Sequence, residues 1–473
     1  MQWQDIIISR LNLCEISSKI ILDHTGLLTN NKFLEYLRNK EIEHLLVENV
    51  SQLLTGLKHY SLIISTPISL PGYISSKVQV INFDLQLLPI EIDPNIFKKL
   101  HYDQLSRLME YLISQRKLTY VKKDNYISLI NKTKEYEINS RLKVVEQKIS
   151  NLMTRKIDYD VILTLGTLWG EYIFLSYLLN YPIKEELQLA IDQTVEPLII
   201  TGQTKEAFYS PGSNPKTVDR ILPFVKNKNR EKTALICFDG MGVAEWLLLK
   251  EYLNVINFNS FPMFALIPTI TRISRSAIFY ANNEIVYELN YINEDKAFTQ
   301  FFDNKNTASF REGQIDGPER LLGINTLKMV YNMFDDIAHK TILPLSEENK
   351  HLFFENCMNY LKKSSIKKEF SILKEAGFSI YLCSDHGSVL ATGNGQRIDK
   401  YLIEASSKRG TLVKKSELVK FYNVNTMEIP FIKDKLVLLA KNRTSFSAKS
   451  TIEITHGGIS LDEFVVPFVE ILS

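Results

Sequence analysis

The chain has 473 residues, room for two or three domains, with 45% hydrophobic and 23% charged residues. That balance excludes disorder as the main state, and 19 glycines with no sustained heptad exclude collagen-like and coiled-coil chains. Lys and Arg number 56 against 54 Asp and Glu, and the net charge of +2 excludes a dedicated nucleic-acid coat while leaving room for a local basic patch.

In chain order, the first 90 residues carry four short apolar runs: Lys19–Leu22, Leu45–Asn49, Ser61–Ser65 and Val78–Phe83. Their spacing predicts a small α/β unit. Asp23 and His24 follow the first run, but no second cluster of the same kind lies near them, so the pair reads as a turn. From Asp93 to about Leu198 apolar residues recur at three and four spacing, as at Leu105, Leu108, Met109 and Leu112, which predicts helices. The most apolar stretch, Val161–Leu179, holds Gly166, Gly170 and Glu171 and reads as a buried helix rather than a membrane span. The amino terminus lacks a basic region followed by an apolar one, so no signal peptide is expected and the chain reads as soluble and cytoplasmic. Cys14, Cys237, Cys357 and Cys383 form no C-x-x-C pair, which argues against a disulfide framework and thiolate zinc.

Residues 209–215 carry turn chemistry, and the apolar-free run Lys226–Lys232 predicts a linker. The expected organisation is a small α/β unit over 1–90, a helical region and linker over 91–228, and a third region over 229–473. In this last region strands and helices alternate. Strands are expected at Thr233–Phe238, Met263–Ile267, Leu327–Phe334, Ser379–Ser384, Leu436–Ala440 and Phe464–Leu472. Helices are expected at Gly242–Leu253, Ile273–Tyr280 and Ser346–Ala376. Pro467 suggests an edge or a bulge for the last strand. The alternation implies a mainly parallel sheet covered by helices on both faces, with its ligand site beyond the carboxyl ends of the strands.

The polar residues at those ends are suited to chemistry. Asp239 and Gly240 end the first strand of this region, and Asp385, His386 and Gly387 end the fourth. Asp335 and His339 are four apart and would share a helix face, with Asp336 a competitor for the role. His456 precedes two glycines. Thr269 and Thr271 lie where a strand hands over to a helix, and a helix N-terminus favours a bound phosphate. Carboxylates and imidazoles suit zinc or manganese. Two carboxylate–histidine pairs, a further Asp and His, and a hydroxyl suffice for two ions and a nucleophile, the equipment for in-line displacement at phosphorus.

The order of Phe238-Asp239-Gly240, Pro268-x-x-Thr271, Asp335-x-x-x-His339, Ser384-Asp385-His386-Gly387 and His456-Gly457-Gly458, followed by Leu461 to Pro467, resembles the alkaline phosphatase superfamily and, within it, the PglZ family. The resemblance covers about Thr233 to Ser473. It implies an alkaline-phosphatase-like α/β catalytic domain with two divalent ions, zinc or else manganese. One ion would be held by Asp335, His339 and His456, the other by Asp239, Asp385, His386 and the hydroxyl of Thr271. Thr271, rather than Thr269, would be the nucleophile of a phosphodiesterase. Arg272, Arg275, Arg397 and Arg409 are candidates for gripping phosphate oxygens. The substrate would be a phosphate ester, with a nucleotide or an oligonucleotide as candidates, and the setting BREX-type phage defence beside other defence proteins, or nucleotide signalling, with no membrane. A phosphomutase is disfavoured because nothing resembles its inserted cap, and a sulfatase because its nucleophile pattern is missing. The rival from another class is a non-catalytic scaffold in a defence complex, which would need none of the seven site residues.

Overall fold

The computed structural model describes residues 2–15, 18–116, 119–201, 216–289, 291–303, 306–344, 349–429 and 432–472. The turn read at 209–215 lies outside them, as do residues 346–348 of the expected helical stretch. The chain divides into two units, Met1–Ser140 and Arg141–Ser473.

The first unit is built on a parallel sheet of β1 (Lys19–Asp23), β2 (Leu45–Val47), β3 (Leu62–Ser65) and β4 (Gln79–Phe83), in the order β2-β3-β1-β4. All four expected apolar runs became strands. Successive side chains leave a strand on opposite faces, and both faces here are covered. Ile21 joins Trp3, Phe33, Leu37 and Phe83 in one core, while Ile20 and Leu22 join Val47, Leu53 and Ile63 in the other. Leu105, Leu108, Met109 and Leu112, on the helix Tyr102–Ser114, complete the first core. Asp23 is a turn residue, as read: its carboxylate accepts from the backbone of Thr25, Gly26, Leu28 and Thr29 at 2.8–3.0 Å.

The division after Ser140 differs from the expected boundaries at 90 and 228. The stretch 91–140 carries the apolar face that closes the first core, so it belongs with the sheet before it. The run Lys226–Lys232 is no free linker either: it ends the helix Ile221–Asn227 and leads directly into the next strand.

In the second unit a six-stranded sheet joins β5 (Thr233–Phe238), β6 (Phe258–Phe264), β7 (Thr307–Arg311), β8 (Thr326–Tyr331), β9 (Ser379–Cys383) and β17 (Val465–Ile471), in the order β6-β17-β9-β5-β8-β7. Only β17 runs against the others. The second expected strand begins and ends earlier than read, because residues 265–270 instead form the passage to the helix Thr271–Tyr280. The last strand is not at an edge: β17 lies between β6 and β9. Pro467 is tolerated there because it faces Pro262 on β6, and the ladder to β9 begins one residue later, at Phe468. The two missing N–H groups thus fall on one rung.

The expected strand Leu436–Ala440 forms as β14 (Lys435–Leu439) but joins a separate antiparallel sheet with β11 (Ile403–Ser406), β12 (Gly410–Lys414) and β13 (Asn425–Met427). A third small sheet holds β10 (Val389–Gly393), β15 (Thr444–Ser445) and β16 (Ile452–Thr455).

The apolar helix Tyr159–Leu179 is long and apolar enough to cross a membrane, yet 61% of its most apolar window is buried within the protein. Gly166 and Gly170 make that burial close-fitting. A Cβ on either would come within 2.5 Å of Val465 or Val243, respectively, so only glycine lets the neighbours approach. Glu171 pairs with Arg141 at 2.5 Å.

Candidate active site

The parallel strands β5, β6, β8 and β9 all end at one edge of the large sheet, and β17 begins there. Each delivers one piece of the site. β5 ends at Phe238, so Asp239 projects from the edge, and Gly240 turns the chain with φ +77°. That turn brings Asp335 alongside: its backbone N–H donates to the Asp239 carbonyl at 3.2 Å, and a Cβ on Gly240 would meet Asp335 N at 3.1 Å. Asp335 sits in the first turn of the helix Met333–Lys340, just after β8. β9 ends at Cys383. Ser384 then ties the loops of β5 and β9 together, accepting from Met241 N at 3.0 Å and donating to the Phe238 carbonyl at 2.8 Å.

His386 and His456 come from segments 70 residues apart in sequence. The antiparallel pair β10–β16 aligns Val389 with Thr455, so the residues just before β10 and just after β16 lie side by side. The two imidazoles stack at 3.9 Å and 8°. Each also donates Nδ1–H to a backbone carbonyl, which can only accept: His386 to Gly387 at 3.0 Å and His456 to Thr269 at 2.8 Å. With Nδ1 protonated, both Nε2 lone pairs point inward.

What they face is negative. His456 Nε2 lies 3.5 Å from Asp335 Oδ1, and His386 Nε2 lies 3.4 Å from Asp239 Oδ1 and 3.6 Å from Asp385 Oδ2. His339, one helical turn beyond Asp335, approaches its Oδ2 at 3.3 Å. Among the described residues two groups of three therefore have ligand atoms close enough to hold a metal ion: Asp335, His339 and His456, and Asp239, Asp335 and His386. Asp385 is fully buried. Its Oδ1 accepts from Gly240 N at 3.3 Å and His386 N at 3.0 Å, but its Oδ2 has no hydrogen-bond partner among the described residues. A buried carboxylate oxygen without a partner, beside imidazole lone pairs aimed at carboxylates, is costly for the protein alone and is the donor set that a divalent cation fits. The residues present thus fit metal ions.

The proton affinities express the same crowding. Burial and the neighbouring Asp385 push Asp239 up to about 7, and burial raises Asp385 to about 6 against the pull of Arg275. Asp335 is also buried, but the bond from His339 and the charges of His456 and His386 win and hold it down at about 2. Burial and His386 push His456 down to about 4, whereas the bond from Asp335 raises His339. An acid raised on folding stabilises the fold at low pH and loses that contribution as pH rises through its folded value. Metal-free protein should therefore lose stability as pH rises from about 5 to 7, where folded Asp239 and Asp385 still hold protons that the unfolded chain has shed, with His339 acting in the same direction at the upper end. His456, held down to about 4 in the fold, opposes part of that loss because only the unfolded imidazole still gives up a proton there. The expected fall in melting temperature is about 5 °C, from a net stability change of about 2 kcal/mol. Added zinc or manganese should abolish it. A flat profile for chelated protein would reject the crowded-carboxylate description.

Thr271 is the first residue of its helix, and Ile270 occupies the capping position, so the Thr271 hydroxyl is not a cap. It lies 3.0 Å from His386 Nε2 and 3.4 Å from Asp239 Oδ1. Thr269 is placed differently: its buried hydroxyl donates to the Gly458 carbonyl at 2.9 Å and accepts from Gly457 N at 3.0 Å. It holds the loop that carries His456. Asp336 points away from the cluster, exposed and 3.8 Å from Lys340.

The four arginines read as phosphate grips are mostly committed elsewhere. Arg272 donates to the carbonyls of Glu404 at 2.5 Å and Leu289 at 2.9 Å. Arg275, one turn after Thr271, holds Asp239 Oδ2 at 2.6 Å and Glu294 at 3.1 Å. It thereby turns Asp239 Oδ1 toward Thr271. Arg397 is exposed. Arg409 is fully buried and pairs with Glu463 at 3.0 Å. Glu463 also accepts from Gly458 N at 2.9 Å and Ser460 Oγ at 2.8 Å, so this pair braces the His456 loop from behind. Glu463→Ala would strand a buried guanidinium, and urea unfolding should show a loss of about 3–5 kcal/mol. Sequence reading quoted Ser384 in a motif without giving it a role, and assigned none to Glu294 or Glu463. A signal existed for Glu463, which stands three residues after Ser460 in a capping-box pattern.

The fold and the cluster define an α/β domain with a metal-type site at the carboxyl edge of its sheet. The chain belongs to the PglZ family: residues 218–471 match the model of the BREX system PglZ alkaline phosphatase-like domain. That membership is the ground for regarding the domain as a phosphoesterase. No curated protein matches the chain. Among solved structures it is similar to murine ectonucleotide pyrophosphatase/phosphodiesterase 5 in an inactive form with AMP, at 11% identity, 51% of this chain, 88% of that one and a TM-score of 0.35. The human protein of that name gives 13%, 50%, 87% and 0.35. Phosphonoacetate hydrolase from Sinorhizobium meliloti 1021, with phosphonoacetate, gives 11%, 51%, 89% and 0.32. Likeness at this level carries no argument about substrate.

Proposed function

We propose that the second unit is a metal-dependent phosphodiesterase with Thr271 as nucleophile and two divalent ions. Asp335, His339 and His456 would hold one ion. Asp239, Asp385, His386 and the Thr271 hydroxyl would hold the other. The position of the Thr271 hydroxyl carries this reading, because it lies at the rim of the carboxylate–imidazole cluster and at the positive end of a helix. When bound, the ions supply Lewis-acid stabilisation of the charge that develops at phosphorus and ease loss of the hydroxyl proton.

The remaining work belongs to the chain. Arg275 and the backbone of Gly240 and His386 orient the Asp239 and Asp385 carboxylates. The carbonyls of Gly387 and Thr269 fix the tautomers of His386 and His456. Thr271 Oγ1 attacks phosphorus, and the bond to one ester oxygen breaks. One alcohol leaves and the other stays esterified on a phosphothreonine, which water then hydrolyses to a phosphomonoester and free Thr271.

A diester is favoured over a monoester because the guanidinium groups nearest the nucleophile are already bound, Arg272 to carbonyls and Arg275 to carboxylates. Neither of these two is left to meet the extra charge of a monoester. Steady-state comparison of bis(p-nitrophenyl) phosphate with p-nitrophenyl phosphate, with zinc or manganese added, decides it: a clear monoester advantage rejects the diesterase assignment. The family match supports a setting in BREX-type phage defence among other defence proteins, in the cytoplasm. In that setting Thr271→Ala should raise phage plaque counts to the level of a deletion. Full protection by Thr271→Ala would favour a scaffold role instead.

A further inference from the structure

A cavity of about 640 Å³ opens beside Arg275, one helical turn from Thr271, and is within the size range of small-molecule sites. Arg275 is the shared wall: it lines the cavity and also grips Asp239 Oδ2. Thr271 and Arg275 lie on one face of their helix, so the ester group that stays on phosphorus has a path along that face toward the cavity.

The cavity's own groups define what it takes. Tyr291 and Phe310 contribute aromatic rings. Asn293 and Gln314 each spend the amide oxygen on a backbone N–H, from Lys296 at 2.9 Å and Arg311 at 2.7 Å. Their NH₂ groups remain as donors. The cations are few. Lys328 is held by Asp295 at 2.8 Å and lies over the Phe279 ring, and Arg275 is bound on two sides. Only the Arg311 guanidinium, among the cavity's cations, forms no ion pair with a described carboxylate. One uncommitted cation does not suit a polyphosphate or a long nucleic-acid backbone, which needs a row of them. Aromatic faces with several N–H donors suit a planar ring rich in acceptors.

We infer that this cavity is the subsite for the nucleoside of a phosphodiester substrate, with the base held among Tyr291, Phe310, Asn293 and Gln314. The inference rests on the phosphoesterase reading above. The nucleoside could belong to a small nucleotide ester or to the end of an oligonucleotide.

The test compares two diesters with one leaving group: thymidine 5′-p-nitrophenyl phosphate and methyl p-nitrophenyl phosphate, the latter too small to fill the cavity. The expected result is a kcat/KM at least tenfold higher for the nucleotide ester. Tyr291→Ala and Gln314→Glu should each remove most of that advantage. Tyr291 is 76% exposed, so its loss leaves the fold intact. Gln314→Glu keeps the acceptor for Arg311 N–H, removes the donor and adds a negative charge. Calorimetry of adenosine 5′-monophosphate with chelated protein reads the subsite without turnover: binding is expected, at least fivefold weaker in both variants. Equal rates on the two diesters with no nucleotide binding overturn the subsite and leave the phosphoesterase standing. Variants that leave both the rate ratio and the binding unchanged also overturn it. Nucleotide binding that both variants weaken, with neither diester hydrolysed, rejects the phosphoesterase while supporting the subsite. A 5′-labelled DNA dodecamer separates the two sources: shortening from one end identifies an oligonucleotide substrate, and an untouched dodecamer identifies small nucleotide esters.

Discussion

Thr271→Ala is expected to lose phosphodiester turnover by a thousandfold or more while keeping the fold and most of the metal. The hydroxyl is the group within 3.0 Å of His386 Nε2 and 3.4 Å of Asp239 Oδ1. Thr269 is two residues away, but its hydroxyl is bonded on both sides to the Gly457–Gly458 loop. Stability should change by less than about 1 kcal/mol, since Ile270 and not Thr271 holds the capping position. Melting temperature, metal content and turnover measured on one preparation separate these effects. An active Thr271→Ala protein beside a dead but folded Thr269→Ala protein would move the nucleophile by two residues.

Asp335→Asn should have an equally large effect by another route. Asp335 belongs to both groups of potential ligands, with Oδ1 toward His456 and Oδ2 toward His339. Its carboxyl is held well below its ordinary range by those imidazoles, so it carries the negative charge that its neighbours resist. Replacing it with an amide of the same shape removes that charge without opening space. Elemental analysis should find both ions depleted, and turnover should fall by about three orders of magnitude. His456→Ala should lose activity together with one ion only. Asp335→Asn protein that retains its full metal content would remove Asp335 from the ligand set.

Much of this molecule is legible in local sequence because buried parallel strands need unbroken apolar runs. Thr233–Phe238 and Ser379–Cys383 could hardly be anything else, and the four runs of the first unit stand out for the same reason. The polar residues at the ends of those runs were legible too, since a polar residue that abruptly ends an apolar strand lies at the sheet's edge. The i, i+4 spacing of Asp335 and His339 follows from helix geometry alone. Motif order was enough to suggest the family to which residues 218–471 belong.

Tertiary structure decided what local pattern cannot carry. An arginine near a nucleophile reads as a phosphate grip, yet the partners of Arg272, Arg275 and Arg409 are groups 17 to 132 residues distant, and these consume their donors. Leu436–Ala440 has the composition of a core strand, but which sheet it joins depends on register with β12 and β13. Pro467 looked like an edge residue until its partner proved to be another proline. Residue type and spacing along the chain determined that carboxylates, imidazoles and a hydroxyl would reach one edge of one sheet. Which atoms face each other there was set by long-range pairing: the β10–β16 ladder stacks His386 on His456, and the turn at Gly240 brings Asp335 against Asp239. Hydrogen bonds and close packing between distant segments have no signature in either segment alone, which is why the members of the site could be read from the sequence and their geometry could not.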